Sequence, residues 1–390
     1  MRSSNRSTFL MIVASTVLTI AGIDLVLPAV PGLPDAIDGT LQQAQLVLAA
    51  FSGGIAVGLL AFGELGARQN QWTLLFLSLG AYAAVSLLAT LAASIVQLIV
   101  IRFVQGFFAA APAVFAGVMI RAMYDGKKAI RMLGLLGSIE SVVPALAPVL
   151  GAWLLIYFDW RASFSLTAAL ALVLSVAWLF KIRRSEQVRS KRSASNYRSL
   201  LVNRRFMAYA LSHAFTLGGL LIFVFGAPTV MTVAMGGELS DFVIMQVTGI
   251  AFFVIAANNT ERIVGRFGVE GAIFGGSAIS ATGSVLVLAY ALGGGRLHEV
   301  IWVLFVFVNF GLGVRGPPGF FRAIESAGEN DARGSALVVL FILLTAAVGT
   351  AVVAPFIEVG LVPLSLASAI VCTSSVAILA GLKPRAGAAS

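Results

Sequence analysis

Twelve separate apolar runs, each long enough to form a membrane-crossing helix, limit what this chain can fold into more tightly than anything else in it. A hydrocarbon layer about 30 Å thick needs roughly 20 apolar residues of helix to cross it. The runs lie near 8–31, 42–66, 73–92, 95–122, 129–157, 161–182, 206–232, 240–260, 270–292, 299–321, 333–357 and 363–382. Strands of about ten alternating residues, the signature of a membrane barrel, are absent from the sequence. Of the 390 residues 59% are hydrophobic and only 11% charged, far from the roughly half apolar and quarter charged make-up of soluble domains. The expected fold is all-α and membrane-embedded, with twelve transmembrane helices.

Charge placement gives an orientation. Of 26 Lys and Arg residues, 22 fall at the termini or in every second loop, including Arg68, the Lys127/Lys128/Arg131 cluster and the stretch from Arg183 to Arg205. The alternate loops hold only Arg161 and Arg296, with Asp35, Asp38, Asp159, Glu238, Asp241, Glu299 and Glu358. The positive-inside rule then puts both termini in the cytoplasm, in a multi-pass protein of a bacterial inner membrane. The net charge of +9 is the anchoring excess of such a protein, so no nucleic-acid partner is implied. Arg2 and Arg6 precede an apolar stretch as in a signal peptide, but that stretch is too long for one and reads as a retained first helix. Cys372 is the single cysteine, so no intrachain disulfide can form.

The longest polar stretch, residues 181–205, is basic and serine-rich. It divides the chain into a six-helix bundle over 1–182, a cytoplasmic linker over 183–205 and a second six-helix bundle over 206–390. Six, linker, six is a layout of transporters built from two parallel repeats, although any twelve-helix protein can carry a long middle loop.

Ionisable residues inside these runs are costly and mark function by default. Asp24 interrupts the first run in "AGIDLVLPAVP". At about 1.5 Å per residue it lies roughly 10 Å from the outer end of its helix, and Arg102 lies about as deep in the fourth. A proton and an arginine compete for such a carboxylate, so movement of Arg102 could switch Asp24 between releasing and taking up a proton. A static ion pair that fixes packing is the other reading. Gln105 and Gly106 share the Arg102 face. Glu140 is a second buried acid, suited to a proton, to a cationic substrate or merely to a neighbouring helix. His213 suits proton traffic or a structural place near a helix end. "NFGLGVRGPPGFF" contains the spacing Gly311, Gly313, Gly316, which without a βαβ unit is accidental. Its Pro317-Pro318 pair predicts a broken or kinked tenth helix, with Arg315 a cavity cation, a gate residue or a snorkelling anchor.

The fifth helix carries Gly137, Glu140, Ser141, Pro144, Pro148 and Gly151 at steps of 3, 1, 3, 4 and 3, one stripe at 3.6 residues per turn. Small residues there admit a close neighbour, and the prolines permit a kink.

"AGIDLVLPAVP", "IRFVQG" and "PALAPVLG" resemble the conserved segments of the Bcr/CflA group, the bicyclomycin/chloramphenicol-resistance type of twelve-helix drug:proton antiporter in the major facilitator superfamily. Gly137 with Ala147, Pro148 and Gly151 resembles the antiporter motif of that group's fifth helix, with Pro144 on the same face. Arg102, Gln105 and Gly106 resemble the fourth-helix Arg-x-x-Gln-Gly motif. Asp24, Pro28 and Pro31 match the first-helix Asp-x-x-x-Pro-x-x-Pro, and "FGAPTVM" and "DARGSAL" echo second-half segments. The loop after the second helix departs from the superfamily pattern. Gly63, Leu65 and Arg68 remain, but Ala67 replaces the acid, Asn70 the glycine and Gln71 the second arginine. The second-half loop keeps Glu261, Arg262, Gly265 and Arg266.

The resemblance implies two pseudo-symmetric bundles and proton-coupled multidrug efflux by alternating access, hence antibiotic resistance. It also implies a monomer and a cytoplasmic latch in that first loop; with Ala67 in place of the acid, either Glu64 substitutes or the inward-open state is more populated. Proton coupling falls to Asp24, Arg102 and Glu140. The substrate cavity adds Gln105, His213 and Arg315, and the cytoplasmic gate takes Gly63, Glu64, Arg68, Glu261 and Arg262. No phosphate-binding loop, metal-ligand spacing or catalytic triad is present, so no cofactor, metal or enzyme activity is expected. The expected partners are protons, a small-molecule substrate and membrane lipid. Two alternatives stay open: export of an endogenous metabolite such as a siderophore or amino-acid derivative, and a non-transporting membrane sensor.

Overall fold

The computed structural model describes residues 2–184 and 196–382. Residues 185–195 of the expected linker therefore lie outside the described residues, and its end carries a short helix, Tyr197–Val202. Among them are twelve helices long and apolar enough to cross a membrane. The first six are Asn5–Ala36, Gln43–Arg68, Gln71–Thr90, Ile95–Met123, Gly126–Tyr157 and Arg161–Ile182. The second six are Arg204–Ala234, Ser240–Asn258, Thr260–Leu292, His298–Ser326, Gly328–Ile357 and Leu361–Ala380. The ninth span starts ten residues before the expected 270, because a helical stretch precedes a sharp turn at Gly268. There φ is +73°, a conformation glycine adopts without a Cβ clash.

The chain forms two compact units. The first gathers Met1–Met123, Ile139–Asn196 and Gly328–Leu337, the second Tyr124–Ser138, Tyr197–Ala327 and Val338–Ser390. The starts of the fifth and eleventh spans thus each pack with helices of the opposite half of the sequence.

Small residues set the tight seams in each unit, as expected where lipid supplies no hydrophobic drive between helices. In the first unit the second and fourth spans meet backbone to backbone. A Cβ on Gly54 would lie 2.0 Å from the Phe103 carbonyl oxygen, and one on Gly106 2.0 Å from that of Phe51. In the second unit the ninth and tenth spans meet likewise, with a Cβ on Gly311 falling 2.5 Å from the Gly276 oxygen. An apolar core around Ile222, Phe223, Met231, Met245, Ile301 and Phe305 surrounds that seam.

The prolines act differently in the fifth and tenth spans. The fifth span is not one continuous helix: its α-helical segments are Gly126–Glu140 and Val143–Tyr157. The small-residue stripe is divided accordingly. Gly134 and Gly137 pack in the second unit, a Cβ on Gly134 lying 2.4 Å from the Ala257 oxygen. Gly151 packs in the first, where a Cβ would lie 2.2 Å from the Leu25 oxygen. The tenth span, by contrast, runs as one helix, His298–Ser326, through Pro317 and Pro318. Both prolines are buried, so neighbouring side chains pack at the points where backbone hydrogen bonds are lost.

Candidate functional site

The first span breaks at its carboxylate. Its α-helix is Arg2–Asp24, followed by a turn and a 3₁₀ segment, Leu27–Gly32. Pro28 lacks the N–H that a continuing helix would donate to the Asp24 carbonyl. The Val26 N–H turns to the Ile23 oxygen at 3.2 Å and that of Ala29 to the Val26 oxygen at 3.0 Å. Both are three-residue bonds, so the carbonyls of Gly22 and Leu25 lose their helical partners. Side chains from distant helices take them: Arg102 Nη1 donates to Gly22 O at 3.0 Å and Ser163 Oγ to Leu25 O at 3.1 Å.

Arg102 is fully buried. Its Nε donates to Val47 O at 3.4 Å and its Nη1 also to Gln105 Oε1 at 2.7 Å. Gln105 Nε2 passes the chain on to Ser86 Oγ at 2.7 Å. The guanidinium lies 4.1 Å from the centre of the Phe51 ring, and it is Gly106 that lets the Phe51 backbone come so near. Arg102 therefore ties the broken first span to the second and, through Gln105, to the third. The expected ion pair with Asp24 is not made: the guanidinium reaches the level of Asp24 but bonds to the carbonyl two residues away. Its Nη2 has no partner among the described residues.

Glu140 repeats the arrangement at Asp24. It is the last residue of the segment Gly126–Glu140, and Pro144 stands four residues on, as Pro28 does from Asp24. Each acid's own carbonyl is thereby denied a helical donor. Both acids are partly exposed, and neither has a cation within 4.0 Å among the described residues. Glu140 lies beside Thr16 of the first span, eight residues or about 12 Å along that helix from Asp24.

In the second unit Arg315 is also fully buried. Its Nη1 donates to Ser212 O at 3.0 Å and its Nη2 to Ser212 Oγ at 3.2 Å. A Cβ on Gly319 would lie 2.9 Å from Arg315 Nη2 and 3.3 Å from His213 Nδ1, so the missing side chain leaves these two groups facing one another. The structure thus brings His213 and Arg315 together, both buried rather than lining an open surface.

The gate residues fall into two sets. Glu64 accepts from Arg333 Nε at 2.7 Å and Nη2 at 3.1 Å, a two-pronged bond to the start of the eleventh span, and also pairs with Arg68. Arg333 is buried and donates to Asn330 Oδ1 at 2.6 Å as well. Gly63 and Ala67 are buried, and a Cβ on the intervening Gly66 would fall 3.1 Å from Ala332. Glu64, three residues before Ala67, is the acid that reaches the eleventh span here. In the second set Glu261 pairs with Arg131 at 3.3 Å, on the surface, and Arg262 donates to Asn259 Oδ1 at 2.9 Å.

Residues 12–354 match the family model described as Major Facilitator Superfamily. The chain belongs to the Major Facilitator Superfamily. Among its relatives is a bicyclomycin resistance protein homolog of Haemophilus influenzae, 25% identical over 277 residues, 69% of this chain and 70% of that one. A chloramphenicol resistance protein of Pseudomonas aeruginosa is 27% identical over 368 residues, 90% of this chain and 85% of that one. A crystal structure of the superfamily transporter FucP in the outward conformation aligns over 97% of this chain and 98% of its own, with TM-score 0.76 and 16% identity. That likeness shows the major facilitator fold alone.

Within this superfamily member, sequence reasoning missed Ser86, Ser163, Phe51 and Tyr82, whose hydroxyl lies where a Cβ on Gly22 would clash at 2.3 Å. Tyr82 and Ser86 stand four apart in an apolar helix, a polar stripe that could have pointed to them. Ser163 bonds to a backbone carbonyl freed by the break and Phe51 offers an apolar ring, and neither leaves such a signal.

Proposed function

We propose that this protein exports small amphipathic compounds, antibiotics among them, in exchange for protons by alternating access across a bacterial inner membrane, with both termini cytoplasmic. The observation that carries the reading is the matched pair of intramembrane acids, Asp24 and Glu140. Each stands at a helix break four residues before a proline, and neither is paired with a cation among the described residues. An uncompensated carboxylate at membrane depth is costly to a passive scaffold, whereas broken helices are where transporters place their ion and substrate groups. The names of the resistance-protein relatives support efflux as the direction. Asp24 and Glu140 carry the proton. Arg102 transmits a change at the Asp24 break to the second and third spans through Gly22 O, Val47 O and Gln105. The Glu64–Arg333 pair holds the cytoplasmic latch. The protein works as a monomer and is not an enzyme.

The reading is tested by compound accumulation in an efflux-deficient host expressing the protein, using amphenicols, bicyclomycin, fluoroquinolones and lipophilic cations. Reduced accumulation of at least one compound, restored by a protonophore, is expected. Unchanged accumulation across the panel, with the protein confirmed in the membrane, overturns drug efflux and points to a dedicated metabolite exporter.

A further inference from the structure

A polar cavity of about 480 Å³ in the second unit is lined by Lys127, Arg131, Asn258, Asn259, Glu261 and Arg262. Three cations face one carboxylate, and that carboxylate already serves Arg131 at 3.3 Å. Among the described residues Lys127 has no carboxylate within 4.0 Å, and a Cβ on Gly265 would meet its Nζ at 3.6 Å. The start of the fifth span and the short helix that opens the ninth therefore converge here. Both present N-termini, whose free N–H groups favour an anion.

The depth of the cavity follows from the eighth span. Ser240–Asn258 has 19 residues, about 28 Å of helix, which matches the hydrocarbon thickness. Its last residue, Asn258, lines the cavity, so the cavity lies at the level of the lipid headgroups. Thr260 through Phe267 then runs as a helix up to the turn at Gly268. Phe267 is 63% exposed there, and the Arg266 guanidinium lies over its ring at 5.6 Å. An exposed aromatic ring with a cation above it suits the boundary between acyl chains and headgroups.

We propose that this cavity binds the phosphate of an anionic phospholipid, with Lys127 and Arg262 as its cationic contacts and the Asn258 and Asn259 amides beside it. Arg131 stays with Glu261. The lipid's acyl chains lie along Phe267. The site does not depend on what the protein transports.

Native mass spectrometry of the purified protein, titrated with phosphatidylglycerol, phosphatidylcholine or inorganic phosphate, tests this. Phosphatidylglycerol is expected to bind well above phosphatidylcholine. Lys127→Ala and Arg262→Ala should each weaken it by about fivefold, the value of one charge near a membrane surface. Lys128→Ala is the discriminating control. Lys128 is next in sequence but sits over the Tyr124 ring at 5.0 Å, outside the cavity, and its loss should leave binding unchanged. Elution volume and melting midpoint confirm that each variant is folded. Equal loss in Lys127→Ala and Lys128→Ala would mean a diffuse basic surface and overturn the site. Equal binding of both lipids would overturn it too. Inorganic phosphate binding as tightly as phosphatidylglycerol would refute the lipid assignment in favour of a free-phosphate site.

Discussion

Removing Glu64 should destabilise this protein far more than removing its partner Arg333. The Arg333 side chain is 1% exposed and that of Glu64 33%. At about 3 Å and an effective dielectric near 20, their gross attraction is about 5 kcal/mol, most of it offset by the cost of burying the guanidinium. Glu64→Ala leaves that guanidinium buried with Asn330 Oδ1 as its remaining acceptor among the described residues. Breaking a fully buried pair in this way costs about 3–5 kcal/mol, and the partial exposure of Glu64 lowers the expectation to about 2–3. Arg333→Leu removes the buried charge itself. Glu64 then keeps Arg68 and solvent, so a cost of at most about 1 kcal/mol is expected. The assay is the apparent melting midpoint in detergent at a fixed scan rate, because unfolding of so large a membrane protein is read as a rate. The asymmetry predicts a drop of about 3–6 °C for Glu64→Ala and about 1–2 °C for Arg333→Leu. Equal drops, or a larger one for Arg333→Leu, would refute the idea that the acid is there to compensate a buried cation.

Other expectations follow from particular contacts. Gly106→Ala places a Cβ 2.0 Å from a backbone oxygen. The second and fourth spans must then part by more than an ångström, at about 1–3 kcal/mol, and an unchanged midpoint would contradict the seam. Arg102→Lys keeps the charge but loses the fork that holds Gly22, Val47 and Gln105 together. A loss of about 2–4 kcal/mol is expected, and wild-type stability in that variant would show that the clamp is not needed. Glu261→Ala breaks a pair whose side chains are 42% and 63% exposed, and should change stability by less than about 1 kcal/mol.

The positions of the spans were legible because a run of some twenty apolar residues is a physical requirement of the bilayer, and no tertiary contact overrides it. Pro28 and Pro31 could have announced the break after Asp24, since a missing N–H is a covalent fact, but residues 8–31 read as one helix. The partners of Arg102 were not legible. Its acceptors are backbone carbonyls, which every residue carries, and whether Gly22 O is free depends on how the helix unwinds rather than on which side chain stands there. The same gap produced the expected Asp24–Arg102 ion pair, in which depth along two helices was right and direction was unknowable. Pro317-Pro318 allowed a broken or a kinked tenth helix, and only the fold shows that the helix is not broken there. That Glu64 reaches Arg333 at the start of the eleventh span needed the fold, because the two stand 269 residues apart in the chain. The equal spacing of Asp24 to Pro28 and Glu140 to Pro144 stood in the sequence throughout. Its meaning emerged only when both acids proved to end a helix.

Proton flux through Asp24 and Glu140 tests the central claim most directly. Everted membrane vesicles with an acidified interior would be given whichever compound the accumulation assay identifies, and proton release recorded. The account predicts release in wild type, none in Asp24→Asn and a reduced rate in Glu140→Gln, at normal levels of inserted protein. Undiminished release in Asp24→Asn would contradict it.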